Sequence, residues 1–198
     1  MKKLTALLII LMVATGALFA AVFQIGPTVS YTVPLDLSKG NPVDFAAIDL
    51  RDFTFGGDLR INMAFLQAQA EARSSFDKDL RLDHFELYGA GALRFDLVVA
   101  DVTLGGGVKV SGVSEDGRWT FNGKDSTEAY HIFTSSELYY KAGLALNFGR
   151  VSFSTEVMAP LDLSLSGLKE EKMQSVLGAL TPDLKRTQVS LGFLINIF

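Results

Sequence analysis

The sequence predicts an all-β protein: a closed eight-stranded antiparallel up-and-down transmembrane β-barrel, with a short amphipathic helix in the last outer loop. Three observations predict it. Apolar and polar residues alternate with a period of two over most of the chain. The parity of that alternation reverses at intervals, as tight hairpins demand. Finally, both signs of charge gather on one face of the strands, while the other face carries essentially none.

The chain opens with Lys2 and Lys3, then the apolar run Leu4 to Phe19, with Ala17, Ala20 and Ala21 near its end. This reads as a secretory signal peptide over residues 1–20, leaving a single barrel domain over 21–198. The run is shorter than the roughly 20 residues that cross hydrocarbon as a helix. The net charge of -4 becomes -6 without the two lysines, and no basic stripe exists to neutralise phosphates, so nucleic acid is not an expected partner. With no cysteine, a disulfide framework, a thiolate metal site and a lipid anchor on an N-terminal cysteine are all excluded.

The strands follow in order. Phe23, Ile25, Val29, Tyr31 and Val33 are apolar at odd positions, against Gln24, Gly26, Thr28, Ser30 and Thr32. The next run keeps this parity through Phe53, Phe55, Leu59, Ile61 and Met63, with Thr54, Gly56, Asp58, Arg60 and Asn62 between. After Ala64 and Phe65 the parity flips, so that Leu66, Ala68, Ala70 and Ala72 oppose Gln67, Gln69, Glu71 and Arg73. A tight turn near Asp96 divides Phe85, Leu87, Leu93 and Phe95 from Val98, Ala100, Val102, Leu104, Val108 and Val110. Another, around Asn147 to Arg150, divides Leu138, Tyr140, Leu144 and Leu146 from Val151, Phe153 and Val157. The last strand is Thr187 to Phe198. Longer polar connections occupy 35–47, 74–81, 112–126 and 159–185. Long and short connections thus alternate, with both termini on the short-turn side. Phe23, Phe65, Phe95, Phe148 and Phe198 are expected to form an aromatic girdle there.

Alternation also fits a soluble barrel with its apolar face inward. The C-terminus decides for the membrane. Ser190, Gly192, Ile195, Ile197 and Phe198, a polar residue, a glycine, two apolar residues in step and a terminal Phe, resemble the insertion signal of outer-membrane barrel proteins. Ser190 is smaller than the polar residue typical there. Strand count and loop rhythm are similar to the small eight-stranded families: the transmembrane domain of outer-membrane protein A, outer-membrane protein X and outer-membrane protein W. The resemblance implies a bacterial outer-membrane location, surrounding lipid as the main partner, and the barrel-assembly machinery as a partner during insertion.

Asp58, Arg60, Glu71, Arg73, Glu86, Arg94, Asp101, Lys109, Glu137, Lys141 and Glu156 fall on the polar face. Eight strands enclose room for side chains and no wide pore. Charges buried there persist only in pairs, so a cross-strand network plugging the lumen is expected. The inferred turns put Lys141 directly opposite Glu156, Arg60 diagonal to Glu71, and Arg94 diagonal to Asp101. The alternative is a narrow conduit for small solutes lined by the same charges. An apolar conduit would need a continuous greasy stripe inside, where only Tyr88, Tyr139 and Met158 stand out. Gly56, Gly89, Gly91, Gly105, Gly106, Gly107 and Gly143 permit the coiling of a closed barrel. The glycine triplet is no phosphate loop, since no Lys-Ser or Lys-Thr pair and helix start follow it.

Some eight-stranded outer-membrane barrels are lipid-modifying enzymes with His and Ser constellations. Here His131 and Ser135, placed on one strand face, would stand about 13 Å apart at roughly 3.3 Å per residue, too far for a nucleophile and its base. His84 beside Phe85 and Glu86 offers no closer match. No enzyme activity, cofactor or metal is therefore expected. Residues 166–180 switch to a helical period, with Leu168, Met173, Val176, Leu177 and Leu180 opposite Lys169, Glu170, Glu171 and Lys172. This amphipathic helix is either a lid on the barrel mouth or a contact for a surface partner.

Overall fold

The computed structural model describes residues 22–33, 53–76, 82–115, 118–123, 128–167 and 180–197. These form β1 (Val22–Thr32), β2 (Phe53–Met63), β3 (Leu66–Phe76), β4 (Leu82–Asp96), β5 (Ala100–Glu115), β6 (Arg118–Phe121), α1 (Ala129–Thr134), β7 (Glu137–Phe148), β8 (Val151–Ser164) and β9 (Gln188–Asn196). Every pairing is antiparallel. Each wall strand pairs with its sequence neighbour, β5 pairs with β7, and β9 pairs back onto β1, which closes eight strands into a barrel. The ninth strand, β6, is outside the ring and extends β5 as a hairpin beyond the rim.

Two connections are two-residue turns, since Met63 pairs with Leu66 and Phe148 with Val151. Ala64 and Gly149 take positive φ of 47° and 64° there. The third turn differs from the expected one. Val98 sits in it, not in the following strand, at φ 72° and 91% exposed. The Asp96 carboxylate accepts the Val98 N–H at 3.0 Å, a local bond that holds a β-branched residue in a conformation it disfavours.

Three of the long connections are shorter than the sequence predicts, because β3 reaches Phe76, β5 reaches Glu115 and β8 reaches Ser164. On β8 the alternation slips at Pro160 and Leu161, both buried, so Leu161 and Leu163 turn inward near the mouth. A register shift against β7 between Glu137 and Tyr139 absorbs the extra residues. The helix expected over 166–180 lies almost wholly outside the described residues, and residues 1–20, where a signal peptide is expected, and Phe198 lie wholly outside them.

Burial is inverted relative to a soluble barrel. Gln24, Asp58, Arg60, Glu71, Arg73, Glu86, Lys141 and Glu156 are buried, while Ile25, Leu59, Leu87, Leu104, Leu144, Phe153 and Ile195 are exposed. Phe65, Phe95 and Phe148, expected in the girdle at the turn end, are at least half exposed, at 66%, 50% and 63%.

Candidate functional site

The interior is the chemically dense part of the molecule. Strand parity positions it: even residues of β1, β2, β4 and β9 and odd residues of β3, β5 and β7 point inward. All eleven charged residues named from the sequence lie on this inner face. Eight are buried, and Arg94, Lys109 and Glu137, nearer the ends, are partly exposed.

At the turn end the links are mostly amides. Gln24 donates to Asn196 at 2.8 Å and to Ser152 at 3.2 Å, and accepts from Asn62 at 2.9 Å. Asn62 accepts from Gln67 at 2.9 Å. Ser152 donates to Asn147 at 2.7 Å, and Asn147 to Asp101 at 3.0 Å. Arg94, diagonal to Asp101 across β4 and β5, bonds both its oxygens at 2.9 and 3.0 Å. Leu194, opposite Ser152 in register, points to the same interior and is fully buried.

The middle layer is ionic. Arg60 pairs with Asp58 at 2.6 Å on its own strand and with Glu156 at 2.9 Å. Lys141 pairs with Glu156 at 2.9 Å and also bonds Gln67 and Gln69. Gln69 donates to Asp58 at 2.8 Å and to Glu156 at 3.0 Å. The register differs from the inferred one. Lys141 stands opposite Met158, and Glu156 stands opposite Gly143, so the Lys141–Glu156 bond is diagonal. Gly143 makes this possible, because a Cβ there would meet Thr103 Oγ1 at 2.5 Å and Glu156 Cγ at 3.4 Å. Arg60 is diagonal to Glu71 in register, yet Glu71 bonds Arg73. The network therefore runs along strands and through the lumen as well as between neighbours.

Toward the mouth, Arg73 pairs with Glu71 at 2.7 Å, donates to Gln188 at 2.9 Å and lies 4.4 Å from the centre of the Tyr88 ring. The Tyr88 hydroxyl is 2.6 Å from Glu86 Oε2 and from Gln188 Oε1. Tyr88 and Tyr139 meet edge to face at 5.5 Å, with Met158 packed beside them. Above this floor opens a polar cavity of about 510 Å³, lined by Lys109, Asn122, Ser135, Glu137, Asp162 and Arg186 among others. The free space beside Tyr88, Tyr139, Met158 and Gln188 is about 10 Å³. Around the mouth, Glu137 joins Lys109 at 2.9 Å to Arg186 at 2.5 Å, and Arg186 also reaches Asp162 and Asp183. The bond from Arg186 holds the Asp183 carboxyl below its ordinary value, and Asp183 raises Arg186 in return.

The carboxylates of Asp58, Glu71 and Glu156 approach within 4.8 Å of one another. Arg60, Arg73 and Lys141 face them, which leaves little net negative field to hold a cation. His131 and Ser135 do not share a strand; both belong to the turn of α1, where the Ser135 N–H bonds the His131 carbonyl at 3.0 Å. Ser135 Oγ donates to Ile132 O and accepts from Asn122, while His131 faces Glu128 at 3.2 Å. His84 lies 3.5 Å from Glu86. Ser190 and Gly192 of the terminal strand face inward, and Ile195 and Ile197 face outward, 47% and 48% exposed.

Missed from the sequence were the connecting amides Gln24, Asn62, Gln67, Gln69 and Gln188, together with Arg186. The amides sit on the inward parity, which was the available signal. Arg186 precedes the last strand and carried none.

No family model matches the chain, and no curated protein does. Among solved structures, the crystal structure of Neisserial surface protein A is similar at 10% sequence identity and a TM-score of 0.44, covering 88% of this chain and 97% of that one.

Proposed function

We propose that this chain is an integral outer-membrane protein with a sealed interior, acting in a structural or surface-interaction role through its loop end. The single observation that carries the reading is that two side-chain networks fill the interior, one linking Asn196 through Gln24, Asn62, Gln67 and Lys141 to Glu156 and Arg60, the other linking Glu71 through Arg73 and Gln188 to Tyr88 and Glu86 below the mouth. Buried ions linked in this way stabilise a packed interior, and breaking one leaves another unpaired. Outside, a wall of exposed Leu, Ile, Val and Phe would aggregate in water and is at home in hydrocarbon. Lipid is then the surrounding partner, and the assembly machinery acts during insertion. In this reading neither histidine is catalytic, and the segment 166–180 is available for a surface partner.

A second reading, a narrow conduit for a small solute, draws on the 510 Å³ cavity at the mouth. It requires the floor at Tyr88 and Tyr139 and the ionic layer beneath to open together. Planar-bilayer recording of the purified protein separates the two. The sealed barrel gives no stable, sizeable conductance. A steady conductance that changes in Lys141→Ala would establish the conduit instead.

A further inference from the structure

The inner face is packed for most of its length and hollow at one end. Beside Tyr88, Tyr139, Met158 and Gln188 the free space is about 10 Å³, whereas above them it opens to about 510 Å³. That volume falls within the span of small-molecule sites, roughly 300–1,000 Å³. The hollow lies at the end of the long connections, away from the two-residue turns after Met63 and Phe148. It is therefore a cup with a closed floor, open on the side where an outer-membrane barrel faces the cell exterior.

Its wall comes partly from elements above the barrel proper. Lys109 and Ser111 continue the inward face of β5 past the floor. Asn122, at the end of the β6 hairpin, and Ser135, after α1, bond each other at 3.0 Å. On β8 the slip at Pro160 turns Leu161 and Leu163 inward, so one side of the cup is apolar. Arg186, just before β9, completes the lining.

What such a cup holds follows from the bonds its lining leaves open. Arg186 spends three of its five N–H groups, on Glu137, Asp162 and Asp183. Lys109 approaches Glu137 at 2.9 Å and Glu86 at 3.7 Å, fewer contacts than its three donors allow. Asp162 gives one oxygen to Arg186, and its side chain is 78% exposed. The hydroxyls of Ser111 and Ser135 both donate and accept. Spare donors and spare acceptors thus stand side by side. An anion would answer only the donors, and it would meet four carboxylates, Glu86, Glu137, Asp162 and Asp183, set about two cations. A cation would answer only the acceptors and meet Lys109 and Arg186 at like charge. Neighbouring hydroxyls answer both, since each donates and accepts at once, and they bring no charge to desolvate.

We infer that the mouth cup is a binding site for a neutral saccharide, its hydroxyls shared among Lys109, Ser111, Asp162 and Arg186 and its C–H face set against Leu161 and Leu163. The inference rests on the sealed-barrel reading above, for which it names the class of surface ligand. A free sugar and the end of a surface glycan share this chemistry.

Saturation-transfer NMR on the full chain in phosphatidylcholine nanodiscs tests the site. The probes are glucose, galactose, mannose and N-acetylglucosamine, each free and as its methyl glycoside. At least one should receive saturation; preference for the glycoside assigns a glycan end, and its absence assigns a free sugar. Ser111→Ala and Asp162→Ala should each weaken binding by about 5- to 10-fold, the effect of one or two lost hydrogen bonds. Val98→Ala, at the opposite end of the barrel, should leave it unchanged. Swelling of protein-bearing phosphatidylcholine vesicles in the bound sugar tests the other reading separately, since entry of sugar would defeat the sealed barrel while leaving the site in place. No binding across the panel, binding unmoved by both substitutions, or saturation of spermidine in place of every sugar would overturn the saccharide site.

Discussion

Two of the ionic clusters in the barrel interior, one in the middle and one at the mouth, differ mainly in access to water. In the middle, Arg60, Asp58, Lys141 and Glu156 have side chains at most 3% exposed. At the mouth, the side chains of Lys109, Glu137 and Arg186 are 17%, 22% and 45% exposed. The residue types and bond lengths are alike. The consequences differ, because an ion that loses its partner in the middle stays desolvated, whereas one at the mouth is taken up by water. The middle cluster therefore specifies the interior, and the mouth cluster only shapes the surface of the cavity.

Lys141→Met should have the largest effect, leaving Glu156 to share Arg60 with Asp58 and the oxygens of Gln67 and Gln69 without their donor, and costing on the order of 3 kcal/mol. Urea unfolding of the bilayer-reconstituted protein measures this. Removing both partners in Lys141→Met/Glu156→Gln should cost less than the sum of the single changes by about 1 kcal/mol or more. Next comes Gly143→Val, which forces atoms into the space held by Glu156 and Thr103 and should cost about 1–3 kcal/mol in the same assay. Glu137→Gln at the mouth should cost no more than about 1 kcal/mol, and the difference should fade in high salt. Equal costs at Lys141 and Glu137 would remove the distinction.

The smallest effect is on pH dependence. Asp183 is held below its ordinary value by Arg186, so its contribution is present above the ordinary carboxylate range and is lost as pH falls through the depressed value. Mild acid should thus leave the Asp183–Arg186 contact intact, with loss only at stronger acidity. Arg186→Gln should weaken this dependence in an acid titration of the mouth followed by the Asp183 carboxyl NMR signal, leaving the smaller part that the Lys185 N–H supplies.

Which face most residues occupy was legible in the sequence; the register that sets each one's cross-strand neighbour was not. A period of two fixes the face, and a hairpin reverses parity wherever its centre lies. Placing the turn after β7 one residue early therefore kept Lys141 and Glu156 inside while moving each partner by two positions, so Lys141 faces Met158. The charges stood out in the alternation, but the amides joining them did not, because Gln67 and Gln69 differ little in pattern from any polar residue. Leu194 points inward on a strand otherwise polar on that side, an exception that only three-dimensional packing decides. The hairpin of β6 falls where a polar connection was expected, and α1 falls where His131 and Ser135 were placed on a strand; strands of four residues and helices of six are too short to set up a period of their own.

The central claim, that the apolar face meets lipid while the charges are enclosed, is tested most directly by spin labels on single cysteines, since the chain has none of its own. Labels at Phe153, Thr155 and Val157 along β8 should be relaxed by oxygen dissolved in the bilayer and spared by a water-soluble nickel chelate, while a label at Val98 in the turn responds to the chelate. Relaxation by the chelate along β8 to the same degree as at Val98 would contradict it.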